Sequence, residues 1–146
     1  MPLMDWDATL DIGVEEMNRE HREILAAINA IYDGAHAGQF GEPMIARIAR
    51  LADITVRHFA DEERLMAREG FAQLETHKAI HRKLLTDFSA HQDAIAAMGG
   101  VPTNAFFSFL RLWLSAHIKC IDRKYAEHMQ AGSAAAGPRI SAPAGA

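Results

Sequence analysis

Four stretches of the chain carry apolar residues at three- and four-residue intervals, the signature of helices that bury one face. The first is predicted to start near Asn18, a good N-cap residue, and to present His21, Ile24, Leu25, Ile28, Ile31, Tyr32 and Ala35 inward, with Gly38 just past its end. The second has Pro43 in its first turn and shows Met44, Ile48, Leu51, Thr55, His58, Glu62 and Leu65 on one face, closed by Gly70. The third begins around Gln73 and aligns Leu74, His77, His81, Leu84, Phe88, His91 and Ile95. After Met98-Gly99-Gly100-Val101-Pro102, the fourth starts near Thr103 or Asn104. It turns Phe106, Leu110, Trp113, His117, Ile121 and Tyr125 inward and fades near Gln130. No strand pattern competes.

These elements predict an all-α fold, an up-down-up-down four-helix bundle. Residues 1–17 form an irregular arm in which Trp6 covers a core edge. Residues 131–146, rich in Ala, Gly, Ser and Pro, read as a disordered tail beside a bundle domain over residues 1–130.

Composition narrows the function classes. The 146 residues are 49% hydrophobic and 23% charged with a net charge of −4, so there is no electrostatic footprint for nucleic acid. No run approaches the ~20 apolar residues of a membrane span. Met1-Pro2-Leu3-Met4-Asp5 lacks the basic start of a signal peptide. With a single cysteine, Cys120, expected to be a small buried residue, a cytoplasmic location is expected. Histidine changes the picture: there are eight.

On a helix, four residues advance about 400°, so His58 and Glu62 point within about 40° of each other and lie about 6 Å apart along the axis. His77 and His81 repeat the spacing. One histidine on an apolar stripe is ordinarily a satisfied core residue. Five histidines (His21, His58, His77, His81 and His117) and two acids (Glu62 and Asp122) on the inner faces of one bundle are different. Left unpartnered, each buried carboxylate costs several kcal/mol, against a small domain's net stability of about 5–15 kcal/mol. A metal supplies the partner.

Order and direction agree with this. His21 and the His77/His81 pair come early in their helices, whereas His58/Glu62 and His117/Asp122 come late, so an antiparallel bundle gathers all four sets at one end. Seven ligands exceed one tetrahedral zinc and suit two iron or manganese ions sharing two carboxylates, with a coordination position left over. The Glu-x-x-His motif of ferritin-like centres is absent. The His117–Asp122 spacing is awkward, because five residues advance about 500° and leave the side chains about 140° apart. Either a local π-turn joins them, or they approach the metals from different sides. His91 is about 15 Å beyond His81 along the axis and is expected in the core or at the far end; His36 and His128 are expected on the surface.

Asn18-Arg19-Glu20-His21, His58-Phe59-x-x-Glu62-Glu63-x-Leu65-Met66, His77-x-x-x-His81 and Trp113-Leu114-x-x-His117-Ile118-x-x-x-Asp122-x-x-Tyr125 resemble the motifs of the hemerythrins, specifically the bacterial hemerythrins. Trp6 and Gly13-Val14 are similar to the family's N-terminal arm; the resemblance covers about residues 5–128. Asn18 departs from the aspartate of many members. The resemblance implies two non-haem irons with an oxo or hydroxo bridge. One would be held by His77, His81 and His117, the other by His21 and His58 with an open position, and Glu62 and Asp122 would bridge them. Phe59, Trp113, Leu114 and Ile118 would line the O2 pocket.

The function so implied is reversible dioxygen binding for storage, transport or delivery, by a monomer that is not an enzyme, with an O2-consuming enzyme as recipient. The alternatives are O2 or redox sensing through a partner protein, and peroxide or nitric oxide handling at the same site.

Overall fold

The structure is a computed structural model that describes residues 2–136, with side chains through residue 132. The helices are α1 (Glu15–His36), α2 (Glu42–Arg68), α3 (Leu74–Ala97), α4 (Asn104–Ala116) and α5 (Arg123–Ala136), with a π-helical segment, His117–Asp122, joining α4 to α5 as one rod. Short connections between four rods whose apolar stripes face inward give the up-down-up-down bundle. No strand occurs among the described residues, and no helix there is long and apolar enough to cross a membrane.

The stripes read from the sequence are buried for the most part, with Tyr32, Ala35, Leu74, Leu84, His91 and Ile121 half-buried at their edges. Ile24, Ile28 and Ile31 of α1, Met44, Ile48 and Leu51 of α2, and Phe88, Ile95, Phe106 and Leu110 are buried in one core. Gly38, Gly70 and Gly99 follow the ends of α1, α2 and α3 with positive φ, and backbone N–H groups of Gln39, Phe71 and Gly100 reach back to Gly34, Met66 and Ile95. Thr103 caps α4 by accepting from the Phe106 N–H at 3.1 Å. At the end of the bundle away from the histidines, the Gly41 N–H donates to the Gly100 carbonyl. A Cβ on Gly100 would lie 2.7 Å from the Gly41 backbone, so this junction excludes larger residues.

Three expectations change. Helix α1 starts at Glu15, one turn earlier than Asn18, with Val14 at the N-cap position and no side-chain cap. Asn18 is instead buried inside the first turn, accepting from the Ile12 N–H at 3.1 Å and donating to the Asp11 carboxylate at 2.7 Å. It fastens the arm rather than capping the helix. Helix α5 continues to Ala136, past Gln130; its alanines have the highest helix propensity. Residues 137–146 of the expected tail lie outside the described residues. Cys120 is exposed, because the π segment turns His117, Ile118 and Asp122 inward and leaves Lys119 and Cys120 on the outer side.

The arm itself is irregular apart from a short turn at Ala8–Leu10. Its Leu10 and Ile12 side chains are buried, the backbone of Leu3 and Met4 bonds the Asn29 amide, and Trp6 packs at the core edge beneath the Arg22 guanidinium, 4.4 Å from its ring centre.

Candidate metal centre

The four helical rods bring the seven expected side chains together at one end of the bundle, in two overlapping groups. Glu62, His77, His81, His117 and Asp122 form one; His21, His58, Glu62 and Asp122 form the other. Within each, the donor atoms lie within 4.8 Å of one another. All seven residues are buried, and Glu62 and Asp122 are 0% exposed.

The two acids belong to both groups, and their oxygens divide between them. Glu62 Oε1 faces His77 and His81 at 3.3 and 2.9 Å, while Oε2 faces His21 and His58 at 3.7 and 3.4 Å. Asp122 Oδ1 faces His77 and His117 at 3.1 and 2.9 Å, while Oδ2 faces His21 at 3.1 Å. The His117–Asp122 proximity comes from the π segment: its extra residue per turn carries five positions back to the same side of the rod. This resolves the awkward spacing in favour of the π-turn.

These approaches are short, but their angles do not make hydrogen bonds. The Nε2 atoms of His21, His77, His81 and His117, together with Glu62 Oε1 and both Asp122 oxygens, have no hydrogen-bond partner. Such a concentration of buried, unpartnered acceptors costs several kcal/mol apiece unless a cation fills the points on which they converge. Imidazole nitrogens and carboxylate oxygens are the donor chemistry of divalent first-row metals. The residues therefore fit a metal pair.

A surrounding layer fixes the ring orientations. His58 donates from Nδ1 to Glu20 Oε1 at 2.7 Å, and His81 donates from Nδ1 to Glu63 Oε2 at 2.8 Å. A ring protonated at Nδ1 presents the Nε2 lone pair inward, the tautomer a metal requires. The Tyr125 hydroxyl donates to Glu62 Oε2 at 2.7 Å. Glu20, Glu63 and Tyr125 were not singled out for these roles in the sequence. Glu20 precedes His21 and Glu63 follows Glu62, so neighbourhood was the available signal, but each serves a histidine on another helix.

Without a metal, charges reorganise within the cluster. Burial alone would lower the His58 pKa, but Glu62 and Glu20 outweigh it and raise it to about 10. His77 rises to about 9 against the same burial, through Asp122 and Glu62, and His21 rises for the same reason. Burial would raise Glu62 and Asp122, yet the surrounding imidazoles hold both below their ordinary values. Burial pushes Tyr125 far up, and the neighbouring Glu62 and Asp122 carboxylates add to it, so its hydroxyl stays a donor.

A small cavity lies against the four-residue group, walled by Phe59, Trp113, Leu114 and Ile118, all anticipated, and by Ile24, which was not. Its free volume is about 10 Å³, at the lower limit of what a single water needs. Phe59 also stacks on the His81 ring, with centroids 3.8 Å apart and planes 7° from parallel. The remaining histidines belong to neither donor group: His91 packs half-buried on Phe109, His36 is exposed beside the Tyr32 carbonyl, and His128, at the same end of the bundle but exposed, donates to the Glu69 carbonyl.

Known proteins are similar to this chain over most of its length. The sequence pattern of the hemerythrin HHE cation binding domain matches residues 12–129. A hemerythrin-like protein of Naegleria gruberi is 32% identical over 123 residues, 83% of this chain and 89% of that protein. A bacteriohemerythrin of Methylococcus capsulatus is 31% identical over 126 residues, 86% and 95% of the two chains, and a myohemerythrin of Riftia pachyptila is 30% identical over 120 residues, 82% and 88%. A crystal structure of wild-type hemerythrin superposes with a TM-score of 0.76 at 28% identity, covering 87% of this chain and 98% of that one. The match from residue 12 to residue 129 takes in every residue of both donor groups, and the chain belongs to the hemerythrin family.

Proposed function

We propose that this chain binds dioxygen reversibly at a pair of non-haem irons, as an oxygen store or carrier. The observation that carries the reading is the division of the carboxylate oxygens: Glu62 and Asp122 each turn one oxygen to the three-histidine group and the other to the two-histidine group. His77, His81 and His117 would hold one iron, His21 and His58 the other, with both acids bridging. Three histidines against two leaves the second iron short by one donor, and the small cavity lies on that side. When bound, such a pair supplies two electrons for reversible binding of dioxygen.

The chain's own residues provide the surroundings. Phe59, Trp113, Leu114, Ile118 and Ile24 wall the cavity with apolar groups, which exclude water and protons from a reduced oxygen species. Apart from the Trp113 indole, its polar lining consists of His21, His58, His117 and Asp122, all committed to the metals. No spare general acid or base stands in the cavity to drive turnover, which favours binding over peroxide or nitric oxide chemistry. Glu20, Glu63 and Tyr125 hold the donors in place.

The test is an optical spectrum of anaerobic, ferrous-loaded protein taken through a cycle of oxygen and vacuum. A new absorption band that appears with oxygen and disappears under vacuum over several cycles supports the carrier reading. Immediate, irreversible oxidation contradicts it.

A further inference from the structure

His21 lacks the outer hydrogen bond that orients His58 and His81. His58 and His81 are each oriented by a carboxylate on Nδ1, but His21 Nδ1 is buried and has no hydrogen-bond partner. Its position is therefore set by where α1 lies relative to the π segment that carries Asp122, its nearest acidic neighbour at 3.1 Å.

That relationship is fixed from outside by the N-terminal arm, which is gripped from both sides. On the α1 side, Asn18, one turn before His21, accepts from the Ile12 N–H and donates to the Asp11 carboxylate. On the other side, Arg123, the residue after Asp122, donates from Nη2 to the Thr9 carbonyl at 2.8 Å and to the Asp11 carbonyl at 3.4 Å. Its Nε donates to the Lys119 carbonyl at 3.3 Å, within the π segment. Gln130 of α5 adds a longer bond to the Ile12 carbonyl, 3.5 Å. Buried Leu10 and Ile12 keep the arm seated between these attachments. A guanidinium is suited to the junction, since its fork can serve the arm and the π segment at once, which a lysine ammonium cannot match in geometry.

We propose that Arg123 is a positioning residue for the metal centre: through the arm it clamps the π segment to α1 and so sets His21 against Asp122. Asn18 is the opposite jaw of the same clamp. The inference rests on the two-metal reading above, and it assigns the clamp to one half of the centre. The iron held by His21 and His58 depends on it, whereas the iron held by His77, His81 and His117 does not, because those three histidines lie on α3 and within the rod itself.

The experiment is the release of iron from ferrous-loaded protein to an excess of a ferrous chelator under anaerobic conditions, followed optically, with Arg123→Ala, Arg123→Lys, Asn18→Ala and the Arg123→Ala/Asn18→Ala pair. Loss of an outer partner of a metal site typically costs 10–100-fold in affinity, so Arg123→Ala should release one of its two irons at least about tenfold faster. The second iron should leave at the wild-type rate, and the helical circular-dichroism spectrum should be unchanged. Arg123→Lys should fall between the two. Because both jaws act on one arm, the double variant should release the first iron little faster than either single variant. If Arg123→Ala does not fold, Arg123→Lys and Asn18→Ala carry the same two-phase signature. Equal acceleration of both irons, or wild-type release in every variant, overturns the clamp. A wild-type protein that loads only one iron overturns the two-metal reading as well, and is distinguished by its stoichiometry.

Discussion

The Tyr125 hydroxyl donates to Glu62 Oε2 at 2.7 Å across the core, linking α5 to α2 at the carboxylate that both donor groups share. Tyr125 is 1% exposed and Glu62 0%, so no water replaces this bond when it is removed. Tyr125→Phe keeps the ring and deletes the donor. A hydrogen bond to a charged group contributes about 1.5–3 kcal/mol, and the variant should lose that much stability in the metal-free state. Urea unfolding of the apoprotein measures it; an unchanged midpoint means that Glu62 does not depend on the tyrosine.

The shared carboxylates differ from the histidines in reach. Glu62→Ala and Asp122→Ala each remove an oxygen from both groups and should lower iron content below one per chain. His21→Ala touches only the four-residue group and should retain about one iron. Elemental analysis after loading decides this, and wild-type iron in either carboxylate variant excludes shared ligation.

The metal-free protein should show a bounded pH optimum. The folded-state pKa values of His58 and His77 are raised from 6.5 to about 10 and about 9. Their contribution is therefore complete below pH 6.5 and lost as pH rises through 9 and 10. Glu62 and Asp122 are lowered from 4.5 and 3.8, so theirs is present above those values and lost as pH falls through the depressed ones. Urea midpoints of the apoprotein should peak between pH 4.5 and 6.5 and decline toward pH 10. Iron loading, which requires neutral imidazoles, should abolish the alkaline decline. A flat apoprotein profile from pH 6.5 to 10 contradicts this charge assignment.

Ile118 walls the small cavity and is 1% exposed. Ile118→Ala should cost about 2–5 kcal/mol and, by admitting water beside the open iron, shorten the lifetime of the oxygenated protein. The decay of the oxygenated spectrum measures that lifetime. An unchanged decay with lowered stability makes Ile118 a packing residue only.

Much of this was legible in the sequence because helical spacing fixes which residues share a face. The i, i+4 pairs His58/Glu62 and His77/His81 needed only the period of the helix, and the order of ligands along alternating rods placed them at one end. Asp122 was legible only as a problem, since spacing alone cannot say whether a backbone widens by one residue; the π segment is a tertiary outcome that the convergence of His117 and Asp122 accompanies. Cys120 was misplaced for the same reason. Asn18 was read as a cap because its residue type suits one, but the arm competes for its amide, a contact formed only when Asp11 and Ile12 fold back. Glu20 and Glu63 stayed silent because each orients a ring on a different helix, which a one-dimensional period does not pair.

The central claim is that two irons sit side by side and share Glu62 and Asp122. Anomalous diffraction at the iron edge from a crystal of the loaded protein tests it most directly. The account predicts two peaks, one among His77, His81 and His117 and one beside His21 and His58, each in contact with both carboxylates. A single peak, or a second peak away from Glu62 and Asp122, would contradict it.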